Sequence, residues 1–248
     1  MSTVKLVGGT LAGLGGFWAV SQLTAMSVSR QARAEPVPPP SEQERKDLFS
    51  KLAPTWDATV RWDEFTSGIS RWRRQLISRA QGDVLEVAVG TGRNLEYYDG
   101  SKVGSLTCVD FSRKMLEILL TKKEQSNREF DIKLKVGNCS RLEFPDNSFD
   151  TVVDTFGICS FEDPISALAE MQRVCKPGGK ILLLEHGESD WPWMQNLLSR
   201  QVPVHVKKFG CYNHRGIEDL VARAGLTVTE SKRKHWGTIY CIECVVNK

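Results

Sequence analysis

The strongest constraint on the fold of this chain is an alternation of short apolar runs and amphipathic segments that begins near Gly82. The apolar runs are rich in Val, Ile and Leu, as strands buried on both faces are, and they alternate with segments of helical periodicity. Such repeats imply a parallel sheet with helices on both faces, so we predict an α/β, doubly wound fold. The predicted parallel strands are residues 83–89, 105–110, 130–137, 149–157 and 180–187. Residues 226–236 and 238–246 predict a terminal antiparallel pair, which completes a seven-stranded sheet.

Helices are predicted between these strands and ahead of them. Ser41 and Glu44 have the spacing of a capping box, which predicts a helix from there through Leu52. The first predicted strand is followed by a glycine-containing turn, which is expected to lead directly into another helix that begins at Gly92. The other predicted helices are residues 69–79, 112–125, 164–175 and 215–225.

Composition and charge exclude several functional classes. A length of 248 residues suffices for one domain with a full core and an appendage, and a net charge of +3 is too small to predict a nucleic-acid partner. Seven scattered cysteines, an odd number, indicate a reducing compartment rather than a disulfide framework. Cys241 and Cys244 have CxxC spacing, but no second pair accompanies them and strand alternation places them on opposite faces. We therefore predict no metal site.

The first 33 residues are interpreted as a membrane anchor or targeting segment. Residues 6–28 carry no charge and form a run that is longer than the roughly 20 residues needed to span a bilayer. Within this run, Gly9 and Gly13 have GxxxG spacing, which allows close contact between membrane helices. A cleaved targeting sequence and a flexible tail remain alternatives. Residues 34–44 are then a proline-rich linker and residues 45–248 the main domain. The basic, serine-containing start without acidic residues favours mitochondria and their inner membrane, with the endoplasmic reticulum as the alternative.

The first predicted strand ends in a loop with the pattern ExAxGxG, formed by Glu86, Ala88, Gly90 and Gly92. In parallel sheets ligands bind beyond the carboxyl ends of the strands, where glycine permits positive φ and close backbone approach. A dinucleotide site would show GxGxxG for a pyrophosphate, whereas an acidic residue inside the strand suits a cationic ligand. Ala88 is expected to remain in the strand with negative φ, so that Gly90 and Gly92 are the residues that resist replacement.

Asp110 ends the second predicted strand, where a carboxylate can accept hydrogen bonds from a ribose diol. A ligand with a ribose, a positive charge and no phosphate is S-adenosylmethionine. The alternative is a generic turn in which Asp110 only caps a helix.

Four stretches resemble one known family: residues 48–57, 67–75, 137–164 and 173–186, the last ending in RVCKPGGKILLLEH. They resemble the class I S-adenosylmethionine-dependent methyltransferases, which have a Rossmann-like fold. Within this family the chain is most similar to the ubiquinone/menaquinone C-methyltransferase (UbiE-like) group and to membrane-anchored mitochondrial methyltransferase-like proteins. The resemblance runs from about Leu48 to the carboxyl terminus.

This resemblance implies a role for each matching position. The strand-one loop would face the methionine portion of S-adenosylmethionine, Asp110 would hold the ribose, and Phe111 would lie beside the adenine. Asn138 and Cys139 would meet the adenine edge, and Thr155 would line the pocket of the transferred methyl group together with Phe156 and Gly157. The implied cofactor-binding set is Glu86, Ala88, Gly90, Thr91, Gly92, Asp110, Phe111, Asn138, Cys139 and Thr155.

Methyl transfer from a sulfonium depends largely on positioning, and a general base can assist it. His186, at the end of the fifth predicted strand, is the candidate catalytic base, and Glu185 is an orienting or alternative base. The alternative is that both residues are structural. Asp154 and Asp163 are weaker candidates.

Residues 190–216 lie where substrate-facing elements are expected. This segment contains several large apolar side chains, which predict a lipophilic lid, a membrane-facing surface or ordinary core packing. They are Trp191, Trp193, Met194, Leu197 and Leu198. The predicted function is a membrane-anchored methyltransferase for a lipophilic small molecule: a quinone precursor, a lipid or a thiol. The alternative is a cofactor-binding assembly factor without turnover. A membrane complex or a homodimer is an expected assembly.

Overall fold

The structure, a computed structural model, describes residues 40–126 and 128–247 and is built around a seven-stranded sheet. The strands are β1 (Gly82–Val87), β2 (Val103–Asp110), β3 (Asp131–Val136), β4 (Phe149–Thr155), β5 (Cys175–His186), β6 (Thr227–Lys234) and β7 (Ile239–Val245). Their order in the sheet is β3-β2-β1-β4-β5-β7-β6. Strands β1 to β5 are parallel, whereas β7 is antiparallel to both β5 and β6. The predicted seven-stranded sheet and its terminal antiparallel pair are confirmed.

Helices cover both faces of this sheet. They are α1 (Glu42–Leu52), α2 (Trp56–Thr66), α3 (Ile69–Ile77), α4 (Arg113–Glu124), α5 (Pro164–Val174), α6 (Pro192–Phe209) and α7 (Ile217–Arg223). Successive strand residues point to opposite faces. In β1, Leu85 and Val87 pack into a core that includes residues of α5 and α7, whereas Val84 packs into a core with residues of α3 and α4. The apolar runs are continuous because both faces are buried.

Side-chain caps explain several helix starts. The predicted capping box is present, since the Ser41 hydroxyl accepts from the Glu44 amide and the Glu44 carboxylate accepts from the Ser41 amide. Ser112 accepts from the Met115 amide ahead of α4, and Asp163 accepts from the Ser166 amide ahead of α5. Each side-chain oxygen satisfies an otherwise unpaired amide of the first helical turn.

Two expectations about the first glycine turn are wrong. Residues from Gly92 form a turn and a short 3₁₀ helix, Leu95–Tyr97, instead of an α-helix. Asn94 and Tyr98 direct their side chains to the buried Glu86 carboxyl group, a pairing that this compact turn supports. Ala88 does not remain in the strand with negative φ, because β1 ends at Val87 and Ala88 has a φ of 48°.

The predicted anchor at residues 6–28 lies outside the described residues. Among residues 40–126 and 128–247, no helix has both the length and the apolar character needed to cross a membrane.

Candidate active site

A cleft opens at the carboxyl ends of β1, β2 and β4, with an empty volume of about 690 Å³ that is partly open to solvent. Its walls come from the loops after these strands and from helices α1, α2, α3 and α4. Six residues of the predicted cofactor-binding set line it: Ala88, Gly90, Thr91, Asp110, Phe111 and Thr155. The structure therefore brings most of the predicted set to one place.

The loop after β1 turns through three left-handed residues in alternate positions. Ala88, Gly90 and Gly92 have φ values of 48°, 57° and 77°. A Cβ added to Gly92 would lie 2.2 Å from Cδ1 of Leu119, whereas one added to Gly90 would meet nothing within 4 Å. Glycine at position 92 is thus required by both conformation and space, and at position 90 by conformation alone.

Asp110 joins the ends of β1 and β2. Its Oδ2 accepts from the Gly90 amide at 2.8 Å, and its Oδ1 accepts from the Ser112 amide at 2.8 Å. Burial raises the pKa of Asp110 to about 6, against the opposing effect of these two hydrogen bonds. A carboxylate has about four lone-pair positions, so Asp110 retains acceptor capacity toward the cleft that it lines.

Glu86 is in the predicted set but does not line the cleft. It is buried, and its two oxygens accept from Nδ2 of Asn94 at 2.8 Å and from the Tyr98 hydroxyl at 2.7 Å. Burial raises the pKa of Glu86 to about 7. In this structure Glu86 supports the turn from beneath.

Asn138 and Cys139 also lie beside the cleft rather than in its wall. The Asn138 side chain donates to the Glu42 carboxylate at 2.7 Å and accepts from the Ser140 amide at 2.8 Å. The Cys139 thiol is buried against the Ala88 amide, and burial raises its pKa. Gly92 also does not line the cleft, and it affects the cleft only through the conformation of the loop.

Arg73 is a cleft residue that the sequence reasoning did not single out. It lies on α3, in the segment 67–75 that resembles a cofactor-covering element, and it is almost fully buried. Its guanidinium donates to Oδ1 of Asn94 at 2.8 Å and to the Thr155 hydroxyl at 2.9 Å. It lies over the Phe156 ring, 5.3 Å from the centroid. An arginine on a mostly polar helix resembles a surface residue in sequence, so only the packing of α3 reveals it.

Glu64 on α2 connects two of the cleft arginines. One carboxylate oxygen pairs with Arg73 at 2.7 Å and the other with Arg93 at 2.7 Å. Burial opposes ionisation here, but the two cations together hold the pKa of Glu64 below its ordinary value. Asp57, on the same helix, accepts from the Thr91 hydroxyl at 2.7 Å. These pairs fasten α2 and α3 over the glycine loop.

The two candidate bases, Glu185 and His186, lie behind the cleft wall. Phe156 lines the cleft, and its ring stacks on the His186 ring with centroids 4.2 Å apart. Phe156 has a φ of 62°, a strained conformation for a bulky residue that is concentrated at functional sites. Glu185 is fully buried and accepts from the amides of Gly157 and Cys159 at 3.2 and 3.1 Å. Their proposed catalytic role stays a prediction.

Asp154 and Asp163 are separated by the fold. Asp154 is buried beside Glu185, and burial raises the pKa of both carboxyl groups, that of Asp154 to about 7. The two negative charges would repel each other in this buried place, so the simultaneous ionisation of both carboxyl groups is disfavoured. Asp163 is the N-cap of α5, a structural position.

The apolar residues of segment 190–216 divide between core and surface. Met194 and Leu198 of α6 are buried, as ordinary packing predicts. Trp191 and Trp193 are each 51% exposed and contact Trp236 of the β6–β7 turn, which is 55% exposed. The three indoles, here called the tryptophan patch, form an exposed aromatic surface.

The sheet order, the glycine turn after β1 and the acidic residue ending β2 define a class of protein, the Rossmann-like α/β fold of solved methyltransferases. Residues 85–183 match the family described as "Methyltransferase domain". The chain belongs to the class I S-adenosylmethionine-dependent methyltransferases, a family whose methyl donor is S-adenosylmethionine.

Two curated methyltransferases are similar to this chain. It is 31% identical over 211 residues to "Methyltransferase OMS1, mitochondrial" of Saccharomyces cerevisiae, covering 79% of this chain and 45% of that protein. It is 33% identical over 159 residues to "Ubiquinone/menaquinone biosynthesis C-methyltransferase UbiE" of Bdellovibrio bacteriovorus, covering 62% of this chain and 66% of that one. The chain therefore spans less than two thirds of the length of either relative.

A solved methyltransferase has the same fold. The S-adenosylmethionine-dependent methyltransferase of Aquifex aeolicus superposes with a TM-score of 0.56 at 16% identity, covering 81% of this chain and 98% of that one. At this identity the likeness supports the fold alone.

Proposed function

We propose that this chain transfers a methyl group from S-adenosylmethionine to a lipophilic small molecule at a membrane surface. The observation that carries the cofactor half is the cleft at the ends of β1, β2 and β4. There a left-handed glycine loop, a buried acceptor in Asp110 and an aromatic ring in Phe111 lie together. In the proposed complex the backbone of the glycine loop contacts S-adenosylmethionine, Asp110 accepts from its ribose and Phe111 lies beside its adenine.

The charges around the cleft suit the amino-acid end of the same cofactor. Arg73 supplies a buried cation and Arg93 a half-buried one, and the Glu64 carboxylate bridges the two. A methionine carboxylate can accept from Arg73, whose Nε has no partner among the described residues, and Thr155 lies 2.9 Å from this guanidinium. Charge-assisted hydrogen bonds of this kind are about twice as strong as neutral ones.

The lipophilic half of the proposal rests on the tryptophan patch. Indole rings favour membrane–water interfaces because one end is apolar and the other can remain hydrated. His235 and Trp236 both have positive φ, at 50° and 60°, in the turn that presents the patch. Strained backbone at a bulky exposed residue supports a functional surface. Anchoring through residues 6–28 belongs to the same proposal.

The printed names of two relatives support a candidate organelle and a candidate acceptor. One is named a mitochondrial methyltransferase and another a quinone-biosynthesis C-methyltransferase. We therefore propose a mitochondrial membrane protein whose acceptor is a quinone precursor, a lipid or a thiol. Assembly into a membrane complex or a homodimer is proposed with it, and light scattering of the detergent-purified full chain tests that assembly.

The deciding experiment is transfer of a labelled methyl group to a lipid extract. The full chain should label a lipid-extractable product, and an Asp110→Ala variant should lose this labelling. An Asp131→Ala variant, changed at an exposed position of β3, is the matched control and should retain it. Absence of any labelled product from the unaltered chain, with cofactor binding intact, would reject catalysis.

That negative result would favour a second candidate function, a cofactor-binding assembly factor without turnover. The observation that supports this alternative is the position of both candidate bases, since Glu185 is fully buried and the half-buried His186 lies behind Phe156. Neither Glu185 nor His186 is among the residues that line the cleft, and Glu185 is already engaged by two amides. A fold shared with methyltransferases does not by itself establish a reaction.

A further inference from the structure

Three potential ligand atoms for a soft metal ion converge behind the cleft wall. Cys159 lies in the loop after β4, His186 is the last residue of β5, and Cys211 follows α6. The two Sγ atoms are 3.2 Å apart, and Nδ1 of His186 lies 4.0 Å from the sulfur of Cys159 and 3.7 Å from that of Cys211. All three side-chain atoms thus form one compact triangle.

The size of this triangle fits tetrahedral coordination. Zinc–sulfur bonds of about 2.3 Å and zinc–nitrogen bonds of about 2.0 Å place two sulfurs roughly 3.8 Å apart and a sulfur and a nitrogen roughly 3.5 Å apart. The observed separations of 3.2, 3.7 and 4.0 Å lie close to these values. Small side-chain adjustments would bring the three atoms onto one ion.

The backbone around the triangle is held from several directions. The Cys159 amide donates to Glu185 at 3.1 Å, and the Tyr212 amide donates to the Cys159 carbonyl at 2.7 Å. Arg215 donates to the carbonyls of Ile158 and Phe161, each at 2.7 Å. The loop after β4 and the segment after α6 are therefore fixed to each other before any ligand binds.

Burial at this place favours an occupant that leaves the site without net charge. Cys159 is fully buried and Cys211 is 5% exposed. A divalent ion that displaces both protons would form a neutral unit with two thiolates and an imidazole, which suits a buried site.

We propose that Cys159, His186 and Cys211 bind one thiophilic divalent cation, with zinc as the expected occupant. Three protein ligands leave the fourth tetrahedral position for a water or an added thiol. The His186 ring stacks on Phe156, which lines the cleft, so the site lies one aromatic ring away from it. A metal-bound Nδ1 cannot also accept a proton, which separates this role of His186 from that of a base.

The competing description is a chain of thiol hydrogen bonds without metal. In that arrangement Cys211 donates to Cys159, and Cys159 donates to the Phe156 carbonyl at 3.4 Å. The two descriptions differ in stoichiometric metal uptake and in the protection of the thiols from alkylation.

The test uses the full chain, purified with reductant and freed of metal, and titrated with Co²⁺ and then Zn²⁺. One equivalent of Co²⁺ should give thiolate-to-cobalt charge-transfer absorption and tetrahedral d–d bands, and one equivalent of Zn²⁺ should remove them. Cys159→Ser and Cys211→Ser should each weaken cobalt binding by at least about a hundredfold, more than the loss of an outer-shell partner does. Cys241→Ser, at the half-buried cysteine of β7, is the control and should bind normally.

A second measurement needs no variant. Zinc should slow alkylation of Cys159 and Cys211 in the unaltered chain while leaving the rate at Cys241 unchanged, as read by peptide mass spectrometry. Lack of stoichiometric cobalt binding, equal absorption in Cys211→Ser and the unaltered chain, or zinc-independent alkylation would each overturn the proposal. These readouts contain no S-adenosylmethionine, so they are independent of the proposed methyl transfer.

Discussion

The backbone amide of Gly90 donates a 2.8 Å hydrogen bond to Oδ2 of Asp110. This bond connects the turn after β1 to the end of β2, and the other oxygen of the same carboxylate holds the Ser112 amide ahead of α4. One buried side chain therefore fixes the loop, the helix start and part of the cleft wall. Changes at Asp110 should affect both loop geometry and ligand affinity.

Asp110→Asn should weaken S-adenosylmethionine binding by about tenfold to a hundredfold, because a hydrogen bond to a charged group contributes about 1.5–3 kcal/mol. The amide also presents a donor where the loop requires an acceptor. Isothermal titration calorimetry measures the change. Asp131→Asn, on the exposed end of β3, serves as the control. An unchanged dissociation constant for the Asp110 variant would exclude the proposed ribose contact.

Gly92→Ala and Gly90→Ala form a matched pair that separates steric from conformational cost. Gly90→Ala should lower the free energy of unfolding by about 1–2 kcal/mol, the cost of a left-handed non-glycine residue. Gly92→Ala should lower it by about 2–4 kcal/mol, because its Cβ also enters the space of the buried Leu119. Urea denaturation compares the two, and equal losses would contradict the predicted clash.

Glu86 should make folding stability fall as pH rises from 4.5 to about 7. Burial raises its pKa from 4.5 to about 7, so between these values the folded chain keeps a proton that the unfolded chain has released. A shift of this size corresponds to a loss on the order of 3 kcal/mol.

Glu86→Gln removes this ionisation, and its amide oxygen can still accept from Asn94 while its amide nitrogen can donate to the Tyr98 hydroxyl, which now donates to Glu86. Its stability should therefore decline less with pH than that of the unaltered chain, as measured by urea denaturation across the same window. Glu117→Gln, on the exposed side of α4, should follow the unaltered chain. Parallel curves for all three proteins would show that Glu86 ionises normally in the folded state.

Arg73→Lys should reduce the free energy of unfolding by about 1–3 kcal/mol and weaken S-adenosylmethionine binding about tenfold. A lysine ammonium cannot reproduce the fork that reaches Glu64, Asn94 and Thr155 at once. Thermal unfolding and calorimetry provide the two readouts. Arg71→Lys, on the exposed face of α3, is the matched control. Identical behaviour of both variants would remove Arg73 from the site.

The sequence by itself determined the sheet, its terminal antiparallel pair and the position of the binding loop. Apolar periodicity, capping residues and glycine turns are local properties, and local geometry decides where strands and helices begin. Ser41 predicted α1 correctly for this reason, and the ExAxGxG loop indicated a ligand at the carboxyl ends of the strands. The helix expected after Gly92 failed because Asn94 and Tyr98 satisfy a buried carboxyl group that pattern alone does not reveal.

Only the tertiary structure decided which side chains meet. Ala88 takes a left-handed conformation because the turn begins two residues earlier than the apolar run suggests, after Val87 instead of after Val89. Arg73 reaches Thr155, 82 positions along the chain, and Cys159 meets Cys211, 52 positions along it. Such contacts depend on strand order and on crossover connections, which bring distant segments to one sheet edge without leaving a periodic signal in the sequence. The position of Arg73 in the cleft and the cluster of Cys159, His186 and Cys211 therefore result from the packing of distant segments.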